Sequence, residues 1–158
     1  MHFPSEQQLL LLRLVEIQRV ASLATINAFQ KAMVSMVPFA LLPDRARLVV
    51  HVSGLAAHTA NMHVHPDVAV MIMQAEKVEH SVHDLPRLML QAKAIFLEPE
   101  SEDWCVARTA YLMRFPEAEP MMRLDDFQFV ALDLEDIRFI AGFGAARSIP
   151  LEVFNTCV

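Results

Sequence analysis

The stretch His51-Val-Ser-Gly-Leu-Ala-Ala-His-Thr-Ala-Asn61 gathers the residue types best suited to holding an anion. Apolar alternation ends at Ser53, Gly54 permits a sharp turn, and a helical pattern then begins. A helix start leaves amides unpaired and carries the positive end of the helix dipole, a combination that suits a phosphate. Ser53, His58 and Thr59 would add side-chain donors. The same spacing also describes an ordinary strand-to-helix turn with Ser53 as N-cap, which is the commoner use of such a serine. A second group lies on Arg87-Leu-Met-Leu-Gln91. On a strand Arg87, Met89 and Gln91 share one face. A face with both Arg87 and Gln91 meets either solvent or a polar ligand, and pattern alone favours solvent.

Other chemistry-bearing residues form no such group. His63 and His65 make an HxH, and His80 and His83 lie near Glu79 and Asp84, but no third ligand has a fixed spacing, so no metal site is expected. No Ser-His-Asp or Cys-His pairing suggests hydrolysis. With only three glycines, no phosphate-cradling glycine motif is present. Cys105 and Cys157 fit neither a CxxC nor a zinc spacing, and a reduced, cytoplasmic protein is the expectation. The ten methionines are expected to fill gaps in the core. Trp104 and Tyr111 fall on one helix face that packs against the sheet.

The elements that must position these residues follow from periodicity. Ser5 to Arg19 reads as a helix, with Ser5 and Gln8 as a capping box and Leu10, Leu14 and Ile17 on one face. Strands are predicted at Val20–Ile26, Met33–Leu42, Leu48–Ser53, Val68–Met73, Pro86–Leu97, Asp126–Leu134 and Ile137–Phe143. Pro38 implies an edge or bulge in the second of these. Val68–Met73 is apolar on both faces and is expected to be buried. Turns fall at Asn27–Lys31 and Pro43-Asp44-Arg45, and an exposed polar loop at Ala75–Leu85. Helices are predicted at Leu55–Val64, across or into one barrel mouth, and at Ser101–Phe115, with Ser101 as cap. Short strands with few helices between them suggest a small antiparallel barrel.

The chain has 158 residues and a formal charge of −6, which argues against a nucleic-acid binder held by phosphates. A single domain spanning 1–158 is expected. The hydrophobic share of 54% is high, yet no run approaches the roughly 20 apolar residues that cross a bilayer. No membrane partner is therefore expected, and neither is a signal peptide. The excess suggests a subunit interface or an apolar ligand site.

Five segments, in order, carry a family resemblance. Arg19-Val-Ala-Ser-Leu-Ala-Thr-Ile26 with Ser35-Met-Val-Pro-Phe39 resembles the opening of the pyridoxamine 5'-phosphate oxidase-like, FMN-binding split-barrel family. Ser53-Gly-Leu-Ala-Ala-His-Thr-Ala-Asn-Met62 resembles its S-x-L-A-x-H-T-x-N-L turn, and Pro86-Arg-Leu-Met-Leu-Gln-Ala-Lys-Ala94 its P-R-L-T-L-x-G-x-A strand. Ala107 to Ala118 is similar to the helix that follows, and Ile140-Ala-Gly-Phe-Gly-Ala145 to the closing G-G-F-G-R-A. The nearest branch includes haem-utilisation proteins. The resemblance implies a mainly β (α+β) fold: a six-stranded antiparallel split β-barrel with flanking helices. It also implies a homodimer with FMN between subunits and an oxidoreductase role on a small-molecule substrate. Ser53, His58 and Thr59 would lie at the flavin phosphate, Ser35, Met36, Val37 and Pro38 along the ring, and Arg87 and Gln91 would reach the cofactor from their strand. Catalytic residues are not implied. The sequence departs from the family at Ala60, where a basic residue is frequent, at Ala92 and at Ala145. The alternatives are haem binding or degradation on the same fold, a deazaflavin, and a non-catalytic flavin carrier. Haem-binding relatives supply an axial histidine from a C-terminal extension, whereas no histidine follows His83 here.

Overall fold

A computed structural model of the chain describes residues 5–43 and 47–158. The elements in order are α1 (Ser5–Ile17), β1 (Val20–Ile26), β2 (Ala32–Pro38), β3 (Ala40–Leu41), β4 (Arg47–Ser53), α2 (Ala57–Val64), β5 (Asp67–Met73), β6 (Arg87–Phe96), α3 (Glu102–Arg114), β7 (Phe127–Ile140), β8 (Ala146–Ser148) and α4 (Leu151–Cys157). Short 3-10 turns lie at Val82–Asp84 and Pro116–Arg123. The strands form one antiparallel sheet in the order β2-β1-β5-β6-β7-β4-β3, with β8 on β7.

That path closes on itself. Only Phe39 separates β2, paired with β1, from β3, paired with β4, so both ends of the path belong to one run of chain. The single strand expected over Met33–Leu42 breaks where Pro38 cannot donate to a ladder. It changes partner there, and Phe39 turns into the core. Counting β2 and β3 as one gives the expected six-stranded barrel, with β8 as an appendage. The β3–β4 ladder holds only Ala40↔Val49 and Leu41↔Leu48, so among the described residues β2 pairs with β4 nowhere along 32–38. This seam is the split.

Alternation decides the two faces. Leu23, Val70, Leu90 and Ile137 lie in one cross-strand row, and all four are buried inside the barrel. Ile72, Leu88 and Phe139 form the next row. Helix α1 adds Leu11, Leu14 and Val15 to this core, and α4 adds Phe154. Helix α2 packs on β1 and β2, inserts Met62, and donates from Asn61 Nδ2 to Thr25 Oγ1 at 2.9 Å. Outside the barrel α3 covers β4 and β7, where Tyr111, Phe115 and Ala107 bury Val49 and Phe129. Strand β4 is consequently buried on both faces. Trp104 meets Phe129 edge-on, as the helix face predicts.

Several expectations need correction. The two closing strands are one, β7, with a bulge where the sequence reading separated them: Gln91 faces Asp136, Ala92 faces Leu134, and Glu135 has no counterpart. The buried stripe of α1 is Leu11–Leu14–Val15, and Ile17 is exposed. Strand β5 is not buried on both sides, because no described helix covers its outer face and Ala69 and Met73 are exposed. The methionines do not fill the core. Among the described ones only Met62 is buried, while Met33, Met36, Met73, Met89, Met113 and Met121 are exposed. Of the expected Pro43-Asp44-Arg45 turn, Asp44 and Arg45 lie outside the described residues. No described helix is long and apolar enough to cross a membrane.

Candidate functional site

The sequence-predicted residues fall into separate places. The turn group sits between β4 and α2. Ser53 Oγ donates to Asp126 Oδ2 at 2.5 Å and accepts from the Leu55 amide at 3.1 Å. The buried Thr59 hydroxyl donates to the Ser53 carbonyl at 2.7 Å. The amides of Gly54 and Ala56 bond to Asp126 and Ser53 carbonyls. Helix α2 is capped at Ala56 without a side-chain bond, so Ser53 ties the turn to Asp126 and is not the N-cap. Burial lowers the His58 pKa below its ordinary value, which favours a neutral ring. The turn is therefore closed by its own bonds, none of its three predicted contacts carries a fixed positive charge, and a carboxylate adjoins it. Gly54 is needed here for close approach, since a Cβ would stand 3.1 Å from the Asp126 carbonyl oxygen.

The remaining residues lie on β2 and β6. Val37 is in the core, and Ser35 pairs with Leu23 on the inward side. Met36 points outward, and Pro38 ends β2 opposite Val20. Arg87 is half-buried with Nη1 donating to the Leu85 carbonyl at 3.0 Å. Gln91 is exposed on the outer face.

Register assembles a groove on that outer face. Met36, Ser22, Met71, Met89 and Arg138 stand in one cross-strand row, and Val34, Ala24, Ala69, Gln91 and Asp136 in the next. Directly opposed side chains share a face and lie about 5 Å apart at Cβ. Small residues at the centre of both rows leave a trench between larger neighbours. It encloses about 490 Å³, within the range of small-molecule sites. Gln91 also lines an adjoining groove of about 410 Å³ that runs past Thr25 to Asp67 and Glu135. A larger apolar groove of about 650 Å³, between α3 and β3, contains none of the predicted residues.

The trench floor is apolar, and Arg138 at its end makes no ion pair with a described residue. Sulfur is its soft donor, from Met71 and Met89. No described histidine lines it. His51 is buried under α3, His63 stacks on Phe96, and His65 bonds to Gln30. Sequence reasoning found Gln91 and placed Met89 on its face. It missed Ser22, Ala24, Ala69, Met71, Asp136 and Arg138, because their meeting depends on strand register.

A six-stranded barrel with one unzipped seam and a trench across its outer face defines the split-barrel class of the FMN-binding superfamily. The chain belongs to the CREG β-barrel family, whose model ("CREG, beta-barrel") matches residues 11–156. It is 30% identical over 133 residues to the haem oxygenase HutZ of Vibrio cholerae, covering 84% of this chain and 74% of HutZ. The crystal structure of HutZ, there called a haem storage protein, superposes with a TM-score of 0.77 at 28% identity, over 91% of this chain and 98% of that one. A haem-binding protein from Mycobacterium smegmatis superposes with a TM-score of 0.81 at 25% identity, over 99% of this chain and 62% of that one.

Proposed function

We propose that this protein binds haem in the outer trench. The observation that carries this reading is the 30% identity to HutZ over 84% of the chain. The trench supports it on its own terms. A porphyrin offers two apolar faces, anionic propionates and an iron that takes nitrogen or sulfur ligands. Ala24, Ala69 and Val34 provide apolar contact, Arg138 a free cation, and Met71 and Met89 sulfur. When bound, the haem would supply redox or oxygen chemistry, and these residues would hold and partly desolvate it. In the same reading a second copy of the chain covers the exposed β1–β5–β6 face, the homodimer that the family resemblance implies.

The flavin reading, whether FMN or deazaflavin, has less support. Its phosphate would have to displace the bonds that Ser53 and Thr59 already make, beside the Asp126 carboxylate.

The test is titration of the purified protein with haemin, followed by desalting. A shifted, retained Soret band that saturates is expected. Free haemin on desalting, or retained FMN with no Soret change, refutes the proposal. Light scattering checks the dimer: a monomer that still holds haem would remove the subunit-interface part alone. Adding a reductant and oxygen to the loaded protein then distinguishes storage, where the Soret band persists, from degradation, where it bleaches.

A further inference from the structure

We infer that the groove between α3 and the seam strand β3 binds a small amphipathic monocarboxylate, with its carboxylate against Arg114 and its alkyl tail along α3. This site is separate from the haem reading and does not rest on it. The groove encloses about 650 Å³, within the range of small-molecule sites, and shares no residue with the outer trench. It exists because of the seam. Strand β3 holds only Ala40 and Leu41, so α3 overhangs a break in the sheet. The helix residues that line the groove run in two i, i+4 ridges: Cys105, Thr109 and Met113 on one, Val106, Ala110 and Arg114 on the other. Short side chains at Cys105, Thr109 and Ala110 keep it open, and Leu41 and Pro43 line it from the strand side. Met113 is 80% exposed, so its apolar surface is left in water rather than used in the core.

The chemistry at Arg114 selects the ligand. Its Nη2 is spent on the carbonyls of Val15, Glu16 and Gln18. Its Nε is buried without a hydrogen-bond partner, whereas Nη1 is not buried and makes no bond with a described residue. No described carboxylate forms an ion pair with the guanidinium. Glu16, in an adjoining groove that Arg114 also lines, attracts it without reaching it. Burial and the neighbouring Arg19 push the Arg114 pKa below its ordinary value, as befits a cation short of negative partners. The other polar groups of the groove are engaged. Thr109 Oγ1 donates to the Cys105 carbonyl at 2.9 Å, and the Cys105 thiol points to the Glu100 carbonyl at 3.9 Å. One under-compensated guanidinium thus adjoins an otherwise apolar lining. A carboxylate accepts a charge-assisted bond from Nη1, and its tail removes Leu41, Val106 and Met113 from water. A phosphate would bring further oxygens for which the groove has no donor.

Because Arg114 also closes α1, the charge is tested on the ligand rather than on the arginine. The full chain is titrated by calorimetry with decanoate, below its micelle concentration, and with 1-decanol, which keeps the tail and lacks the charge. Decanoate should bind saturably at one site, about tenfold tighter than decanol. Thr109→Trp, at an exposed position of α3, fills the groove and should weaken decanoate by about tenfold or more. Position is read independently in Cys157→Ser, where Cys105 is the only thiol left. Decanoate at ten times its Kd should slow maleimide modification of Cys105 about tenfold. If Thr109→Trp does not fold, this protection alone decides the position. The absence of saturable decanoate binding overturns the inference, and so does decanol binding as tightly as decanoate. Unchanged affinity in a folded Thr109→Trp, or a Cys105 that decanoate leaves unprotected, places the ligand elsewhere and overturns it too.

Discussion

His51 sets an acid limit on stability that can be measured apart from function. The ring is 8% exposed, with its centroid 4.4 Å from that of Phe129 and 5.0 Å from that of Phe127, and its Nδ1 has no hydrogen-bond partner. Burial lowers its pKa from an ordinary 6.5 to about 4. The folded chain therefore resists a proton that the unfolded chain accepts. The stabilisation from the neutral buried ring is fully present above pH 6.5 and is lost as pH falls through the window down to about 4. The whole window amounts to about 3 kcal/mol, of which about 2 kcal/mol disappears between pH 7 and pH 5. His51→Leu has nearly the same volume and removes both the titration and the unpartnered nitrogen. Urea unfolding at pH 7 should find the variant as stable as the wild type or about 1 kcal/mol more so. At pH 5 the variant should lead by a further ~2 kcal/mol. The lowered His58 pKa acts in the same direction, so both proteins keep some acid slope, and the difference between them carries the test. Equal slopes in the two proteins would refute the argument.

Three further outcomes follow from contacts described above. Arg114 Nη2 donates to the carbonyls of Val15, Glu16 and Gln18, closing the end of α1, and its guanidinium lies 4.9 Å from the centroid of the Phe39 ring. Arg114→Ala should cost about 2–4 kcal/mol in chemical unfolding and release α1 first in limited proteolysis. Asn61→Ala leaves the buried Thr25 hydroxyl without its partner and should cost about 1–3 kcal/mol, read as a lower urea midpoint at unchanged m-value. Ala69→Trp fills the centre of the trench from an exposed position and should abolish haem retention on desalting while leaving the thermal midpoint within ~2 °C. Haem retained at wild-type affinity by that variant would move the site off this face.

Most of the fold could be read from local pattern, because inward residues of β1, β5 and β6 alternate strictly and the helix of α3 carries its own cap at Ser101. What failed locally has identifiable causes. Alternation shows that Ala69, Met71 and Met73 lie on one face but not whether anything covers it, so β5 read as doubly buried. The acidic pair Glu135-Asp136 breaks the alternation because a bulge puts two successive residues on the exposed side, so one strand reads as two. The α4 pattern is Leu151, Val153 and Phe154 in a seven-residue stretch after Pro150, too short to separate from coil. The site was less legible than the fold. Ser53, Gly54 and Thr59 were found where the turn lies, but their engagement with Asp126 depends on a residue seventy-three positions away. The trench needs Ser22 opposite Met71 and Met89 opposite Arg138, pairings that no local spacing encodes.

Strand β7 has a consequence for how the molecule opens. Residues Val130 to Asp133 are paired on one side with β6 and on the other with β4. Their amides are locked in the middle of the sheet, between ladders whose strands lie far apart in the chain. No fraying terminus or loop motion frees them, so deuterium should enter there only on complete unfolding, at a rate that reports global stability. By contrast, β8 and the seam side of β2 should exchange early. Slow assembly follows as well: β4 meets β7 across some eighty residues of intervening chain, a long-range closure that helical segments cannot nucleate. A refolding trace of this barrel should therefore show the β7 amides becoming protected together, in the slow step that closes the barrel, with β8 and the seam side of β2 no earlier.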